Sequence, residues 1–200
     1  MYLALAAVVA AGVLALWGAL GRKSVAVLVL AAVALGVVTA RRNTDYHSAI
    51  GLWQDTTAKR PGNARAFGEL ANALFLAGRT AESLPVYERA LRLMPIYPKA
   101  QHNYATALAA AGRLDEAAAH FELALAQSPG LPDAYYGLGN VRRAQDRPAD
   151  AIACYEAALR FRPNFALAHN NLANLLAAAG RTDDACAHFA AALRALPNFP

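Results

Sequence analysis

Three side chains of the metal-binding type recur at one fixed spacing. The same interval separates His120 from Cys154 and Cys154 from His188. A zinc site needs all its ligand atoms within roughly 2.0–2.3 Å of the ion. In a stacked repeat of this period, equivalent residues lie about one helix spacing apart, ~8–10 Å. One ion could scarcely be shared across that distance, and we therefore expect neither a metal site nor a cofactor.

Other reactive residues give no sign of catalysis. The sequence has no glycine-rich phosphate loop after a strand, and no arrangement of Ser, His and Asp or of Cys and His stands out. Cys154 and Cys186 are two positions out of register. This favours small packing residues over a disulfide. We therefore predict that residues 41–200 are not an enzyme.

A second set of polar residues has the chemistry of a binding surface. The stretch HNNLANLLAAAGR, residues 169–181, holds three asparagines in an otherwise apolar run. A side-chain amide both donates and accepts hydrogen bonds, so a column of amides can bind the backbone of an extended peptide. The set recurs at a few fixed places of the period. The predicted groove residues are Asn72, His102, Asn103, Tyr136, Asn140, Asn170, Asn171 and Asn174.

The period itself predicts the elements that hold these residues. Prolines recur at this same interval from Pro61 to Pro197, and glycines keep it with Asp146 in the one missing place. A period of about 34 residues indicates stacked helix pairs. Glycine permits a left-handed turn after the first helix of each pair, and proline ends the second. The four predicted units are residues 64–97, 98–131, 132–165 and 166–199.

Large and small residues alternate within each unit. The eighth, twentieth and twenty-seventh places hold Ala, Gly or Ser, and the seventh and twenty-fourth hold Leu, Tyr or Phe. Antiparallel helices pack closely when large side chains face small ones. This pattern resembles the tetratricopeptide repeat over residues 64–199, although Gln101 and His169 replace its usual aromatic at the fourth place. The resemblance implies an all-α, right-handed solenoid whose concave groove binds peptides or partner proteins. HNNLAN also resembles the asparagine ladder in the repeat domain of the O-linked N-acetylglucosamine transferase.

Two uncharged apolar segments precede the repeats. Residues 1–20 and 24–40 carry no charge, and only GRK separates them. Twenty helical residues span the ~30 Å of a bilayer core. We predict a transmembrane helical hairpin over residues 1–42. The alternatives are a soluble core helix, or a signal peptide cleaved after Ala40 that would leave a soluble repeat protein.

The positive charge lies beside these segments. Four basic residues stand before residue 43 and no acid precedes Asp45, so 15 basic residues face 14 acidic ones in the remainder. The net charge is +5 over the whole chain. Because this positive charge is concentrated near the N-terminus, it does not predict a nucleic-acid-binding surface.

The junction between the two parts reads as a partial repeat. Residues 43–63 match a second helix whose missing partner would be the second membrane segment. The run ARRNTDYHSAIGLWQDTTAKRPGNARA is similar to the junction in polytopic membrane proteins of the O-mannosyltransferase-like type. That resemblance implies repeats on the extracytoplasmic side, and we predict a bacterial inner membrane. The basic residues in the loop and after the second segment favour neither orientation.

These features predict a membrane-anchored scaffold or adaptor, embedded through residues 1–40, that binds a peptide or protein and no nucleic acid. The alternative is an accessory or C-terminal part of a membrane glycosyltransferase whose repeats present the protein acceptor. Its partner would then be the membrane enzyme or that enzyme's substrate. Both ends look cut, which favours the tail of a longer protein or a fragmentary gene. The alternative is a minimal anchored scaffold that pairs with a partner at its open end.

Overall fold

The computed structural model describes residue 30, residues 32–35 and residues 48–196. The predicted transmembrane hairpin, residues 1–42, therefore lies outside the described residues except for residues 30 and 32–35, which are helical and exposed. Among the described residues, no helix combines the length and the apolar character that a membrane crossing requires. The chain divides into two compact units, residues 1–52 and 53–200.

From residue 48 to residue 196 the structure is helical throughout, with short turns and no strand. The elements are α1 (Ala49–Lys59), α2 (Ala64–Leu76), α3 (Thr80–Leu93), α4 (Pro98–Ala110), α5 (Leu114–Gln127), α6 (Pro132–Ala144), α7 (Pro148–Phe161), α8 (Ala166–Ala178) and α9 (Thr182–Ala195). The all-α solenoid is confirmed, and α2 to α9 form the four helix pairs, repeats 1 to 4. A helix, α1, is present where the partial repeat was placed, while its packing against a membrane helix stays a prediction.

Small residues lie where the helices of each pair touch. Ala71, Ala105 and Ala173 are fully buried at the eighth place of repeats 1, 2 and 4. In repeat 3 this place is Gly139, where an added Cβ atom would lie 2.6 Å from Cε1 of Tyr155. Tyr155 is itself fully buried. The helices of repeat 3 are therefore in closer contact here than alanine would allow.

The turns between paired helices use a left-handed residue. Gly78, Gly112 and Gly180 have φ values of 77°, 77° and 78°. Asp146 takes the same place in repeat 3 with φ 56° and is the one non-glycine residue with positive φ among those described. The predicted role of these positions is confirmed. Each residue ends the first helix of its repeat, and the chain then reverses direction.

First helices of neighbouring repeats lie beside one another. Besides its own partner α5, helix α4 approaches α2 on one side and α6 on the other. The second helices pack behind them, and residues such as Tyr87 and Phe121 fill the layer between. The exposed faces of the first helices therefore form one continuous surface, called the groove below.

Candidate peptide-binding groove

A cavity of about 490 Å³ opens in the groove at repeats 2 and 3 and reaches the start of repeat 4. Its walls are mainly apolar. The apolar lining residues are Ala109, Leu114, Phe121, Gly137, Val141, Ala144, Phe165 and Leu167, and the polar ones are His102, Thr106, Asp133, Tyr136 and Asn140. A cavity of this size and character is typical of ligand sites, which span roughly 300–1,000 Å³.

Gly137 allows one wall of this cavity to form. An added Cβ atom at Gly137 would lie 2.4 Å from Cζ of Phe121, which is a clash. The Phe121 ring therefore lies directly against the backbone of α6. The same place holds Asn103 in repeat 2 and Asn171 in repeat 4, so the missing side chain is particular to repeat 3.

Two predicted groove residues, Asn140 and Asn171, are joined to each other across repeats 3 and 4. The Tyr155 hydroxyl donates to Oδ1 of Asn140 at 2.8 Å, and Nδ2 of Asn171 donates to the same oxygen at 3.0 Å. Nδ2 of Asn171 also donates to the Tyr136 hydroxyl at 3.3 Å. Burial raises the pKa of the Tyr155 phenol, so it remains a donor at neutral pH. These bonds hold both amides in a fixed orientation.

The remaining predicted asparagines are free to bind. Asn72, Asn103 and Asn170 are half-buried, and Asn174 is exposed. Their side chains make no hydrogen bond within the part of the chain that the structure describes. Of the eight predicted residues, only His102, Tyr136 and Asn140 line the cavity, and Asn171 reaches it through its bonds to the last two.

His102 lies in the cavity wall as a neutral side chain. Its ring meets Phe121 edge-on, with centroids 5.5 Å apart, and its Nδ1 atom is buried without a partner. Burial lowers the pKa of His102, although the nearby Asp133 carboxylate works against this shift. The wall is therefore uncharged at this point at neutral pH.

Most charges around the cavity are already paired. Asp133 accepts two bonds from the Arg162 guanidinium, at 2.9 and 2.6 Å, and Arg142 pairs with Glu122. Arg143, by contrast, is exposed and has no ion-pair partner among the described residues. It lies close enough to Tyr155 to oppose the rise in that residue's pKa. The unpaired charge beside the Asn140 network is therefore positive.

Models of one repeat family together match residues 37–200. One model described as tetratricopeptide repeat matches residues 37–100 and 136–200, and a second with the same description matches residues 97–164. The chain belongs to the tetratricopeptide repeat family.

Several solved structures share the tetratricopeptide fold. The crystal structure of MamA superposes with a TM-score of 0.70 at 22% identity, covering 78% of this chain and 92% of that one. PilF of Pseudomonas aeruginosa gives 0.70 at 20% identity, with 82% and 75% covered. YrrB, described as a tetratricopeptide protein with an unusual peptide-binding site, gives 0.64 at 24% identity, with 72% and 75% covered. No curated protein matches the sequence. At these identities the likeness shows the fold.

Two buried polar pairs were not predicted from the sequence. Gln101 and His169, at the fourth place, are buried, and each bonds to the residue at the twenty-third place of its own repeat. Oε1 of Gln101 lies 2.6 Å from Nδ1 of His120, and the Nδ1 atoms of His169 and His188 are 2.9 Å apart. The signal was available, because both places are polar in the same two repeats.

The members of the histidine–cysteine row lie in different surroundings. His120 and His188 hold the pairs just described, whereas Cys154 is a free thiol packed at the edge of the core. Cys186 is exposed, so interpreting it as a packing residue was wrong. Among the described residues, no group of three or more His, Cys, Asp or Glu side chains is placed to hold a metal ion.

Proposed function

We propose that this tetratricopeptide protein is a membrane-anchored adaptor that binds an extended peptide segment of a partner protein in its groove. The observation that carries the proposal is the cavity of about 490 Å³ on the groove side of repeats 2 to 4, bordered by the Asn140–Asn171 pair. We propose binding rather than catalysis because Asn140 and Asn171 hydrogen-bond to each other and to Tyr155 and Tyr136 as donors and acceptors.

Backbone recognition is the means by which the groove would hold such a segment. Asn103, Asn170 and Asn174 have free amides on the first helices. An extended peptide presents alternating N–H and C=O groups that amides can satisfy without reading its sequence. The solved structure of YrrB, described as having a peptide-binding site, supports this use of the fold.

The membrane anchor in this proposal rests on the composition of residues 1–20 and 24–40. Each segment is uncharged and long enough, or nearly so, to cross a bilayer as a helix. The repeats are proposed to face the extracytoplasmic side. The support for this orientation is the resemblance of the junction sequence to that of the membrane proteins named above. Residues 40–47 of the junction lie outside the described residues.

Capture of partners from membranes tests the binding role. The full chain and the double variant Asn171→Ala with Asn174→Ala would be used in parallel, and bound proteins quantified. We expect the variant to retain less partner with unchanged helix content by circular dichroism. Asn164→Ala, an exposed change outside the first helices, is the control. Equal capture by the double variant and the control would contradict the role of the groove amides.

A further inference from the structure

The Asn140–Asn171 pair and the cavity beside it form a single site with a definable ligand. We propose that this site holds one residue of an extended partner peptide, with its backbone on the two amides, its large apolar side chain in the cavity, and an acidic residue next to it at Arg143. The inference rests on the proposed function and adds the chemistry of the partner.

The two amides are left with complementary free groups. Oδ1 of Asn140 accepts both bonds, so its Nδ2 keeps two free hydrogens, while Nδ2 of Asn171 makes both donations and leaves Oδ1 free. Neither free atom is buried from solvent. Turning both amides over exchanges the roles and still leaves one donor and one acceptor. One peptide residue offers one N–H and one C=O, which matches this pair.

The cavity selects an uncharged side chain. Its walls are largely Phe121, Val141, Phe165 and Leu167, and His102 is neutral there. A charged group buried against such walls would lose its hydration without gaining a partner. A large apolar side chain, in contrast, gains from leaving water, and buried aromatic anchors dominate binding in many interfaces.

Arg143 gives the site its electrostatic preference. It lies three residues after Asn140 on α6. This spacing places both on the same side of the helix. Asp133, which lines the cavity, pairs with Arg162, and Arg142, next to Arg143 on α6, pairs with Glu122. An acidic residue close to the apolar anchor would therefore find an unpaired cation, and a basic one would be repelled.

An array of short synthetic peptides tests the inference on the full chain in mild detergent. A central position takes each amino acid in turn, and its neighbours are Asp, Ser or Lys. We expect the strongest binding with a central Phe, Trp or Leu beside Asp. Lys at the central position should lower the affinity about tenfold, which is the size of effect expected from losing one favourable contact. Methylating the backbone nitrogen of the central residue removes its N–H and should weaken binding similarly.

Three variants with matched controls separate the parts of the site. Ala144→Phe fills the cavity from an exposed position, and Ala178→Phe makes the same change at the equivalent place of repeat 4, away from the cavity. Arg143→Glu should exchange the preference for Asp neighbours with one for Lys, whereas Arg160→Glu, on α7, should not. Asn140→Asp keeps the oxygen that accepts both bonds but loses the free donor, and Asn164→Asp, an exposed change outside the first helices, controls for its charge.

Each outcome has a defined meaning. Selection of an apolar centre with an acidic neighbour, lost in Ala144→Phe and retained in Ala178→Phe, supports the site. Binding of peptides without that selection, or with selection unaffected by Ala144→Phe and Arg143→Glu, overturns this inference and leaves the adaptor function standing. If no peptide binds the full chain, both proposals fail together.

Discussion

Three half-buried histidines share a lowered pKa. Burial lowers the pKa of His102, His120 and His188 from the ordinary value of 6.5. The unfolded chain therefore binds these protons at a higher pH than the folded chain does. Since stability rises with pH wherever the unfolded state binds more protons, the folded state should lose stability as the pH falls below about 6.5.

Urea unfolding at pH 7.5 and pH 5.2 checks this expectation. We expect a lower midpoint at pH 5.2. This pH lies above 4.5, the ordinary pKa of a glutamate, and the pKa values of Glu82 and Glu116 are lower still, so these carboxyl groups stay ionised at both pH values. His102→Phe keeps an aromatic ring against Phe121 and removes one titrating group, so its midpoint should depend less on pH. A midpoint that is equal or higher at pH 5.2 would contradict the assignment.

Gly137 yields a second prediction for a single residue. Gly137→Ala places a methyl group 2.4 Å from Cζ of Phe121, a fully buried ring with little room to move. Overpacking costs about 1–3 kcal/mol, against about 1 kcal/mol that alanine gains over glycine within a helix. We expect a net loss of unfolding free energy, measured by denaturant titration. Gly130→Ala, whose Cβ would meet Phe161 at an ordinary 4.0 Å, should change it little.

At the scale of the element, the turn of repeat 3 is the irregular member of its series. Asp146 adopts φ 56°, whereas the equivalent Gly78, Gly112 and Gly180 carry no Cβ atom that this conformation would strain. The left-handed conformation costs a residue other than glycine about 1–2 kcal/mol, and aspartate somewhat less. Asp146→Gly should therefore raise the melting temperature by a few degrees. Ala111→Gly, at a residue whose φ is negative, should lower it. Glycine at residue 111 relieves no strain and only adds conformational freedom to the unfolded chain. A lower melting temperature in both variants would contradict the strain proposed at Asp146.

The helix pairs show what sequence periodicity can and cannot predict. The spacing of Pro, Gly and small residues predicts each turn and the small-residue contacts between paired helices, because these depend only on the position within one repeat. It also placed Asn140 and Asn171 on the groove surface. Their bonds to Tyr155 and Tyr136 depend on how neighbouring repeats meet, and the buried pairs of Gln101 and His169 depend on partners nineteen residues away. The contacts between repeats are not contained in a pattern within one repeat, whereas the buried pairs left a signal, because the fourth and twenty-third places are polar in the same two repeats.

At the scale of the whole molecule, the composition of residues 1–20 and 24–40 predicts how the chain is attached. Two uncharged segments of this length should keep the full chain in the membrane pellet after an alkaline carbonate wash. Val27→Arg with Val33→Arg places two charges in the second segment, each costing roughly 2.5–3.5 kcal/mol at a helix centre, and should weaken retention. Lys59→Arg keeps the charge and is the control. Recovery of the unchanged full chain in the supernatant would contradict a transmembrane anchor.

Topology can be decided with the same chain in its native membrane. If the repeats face outwards, protease added to intact spheroplasts should degrade residues 48–196, whereas a cytoplasmic marker protein survives. A hairpin over residues 1–42 would place both of its ends on one side, so the loop at Arg22 and Lys23 would then lie on the cytoplasmic side and Arg41 and Arg42 on the outer side. The positive-inside tendency favours neither orientation, because the two pairs of basic residues balance. Full protection of the repeats until the cells are lysed would reverse the orientation. A mature N-terminus at Arg41 would instead identify the second segment as a cleaved signal, and the adaptor would then act without an anchor of its own.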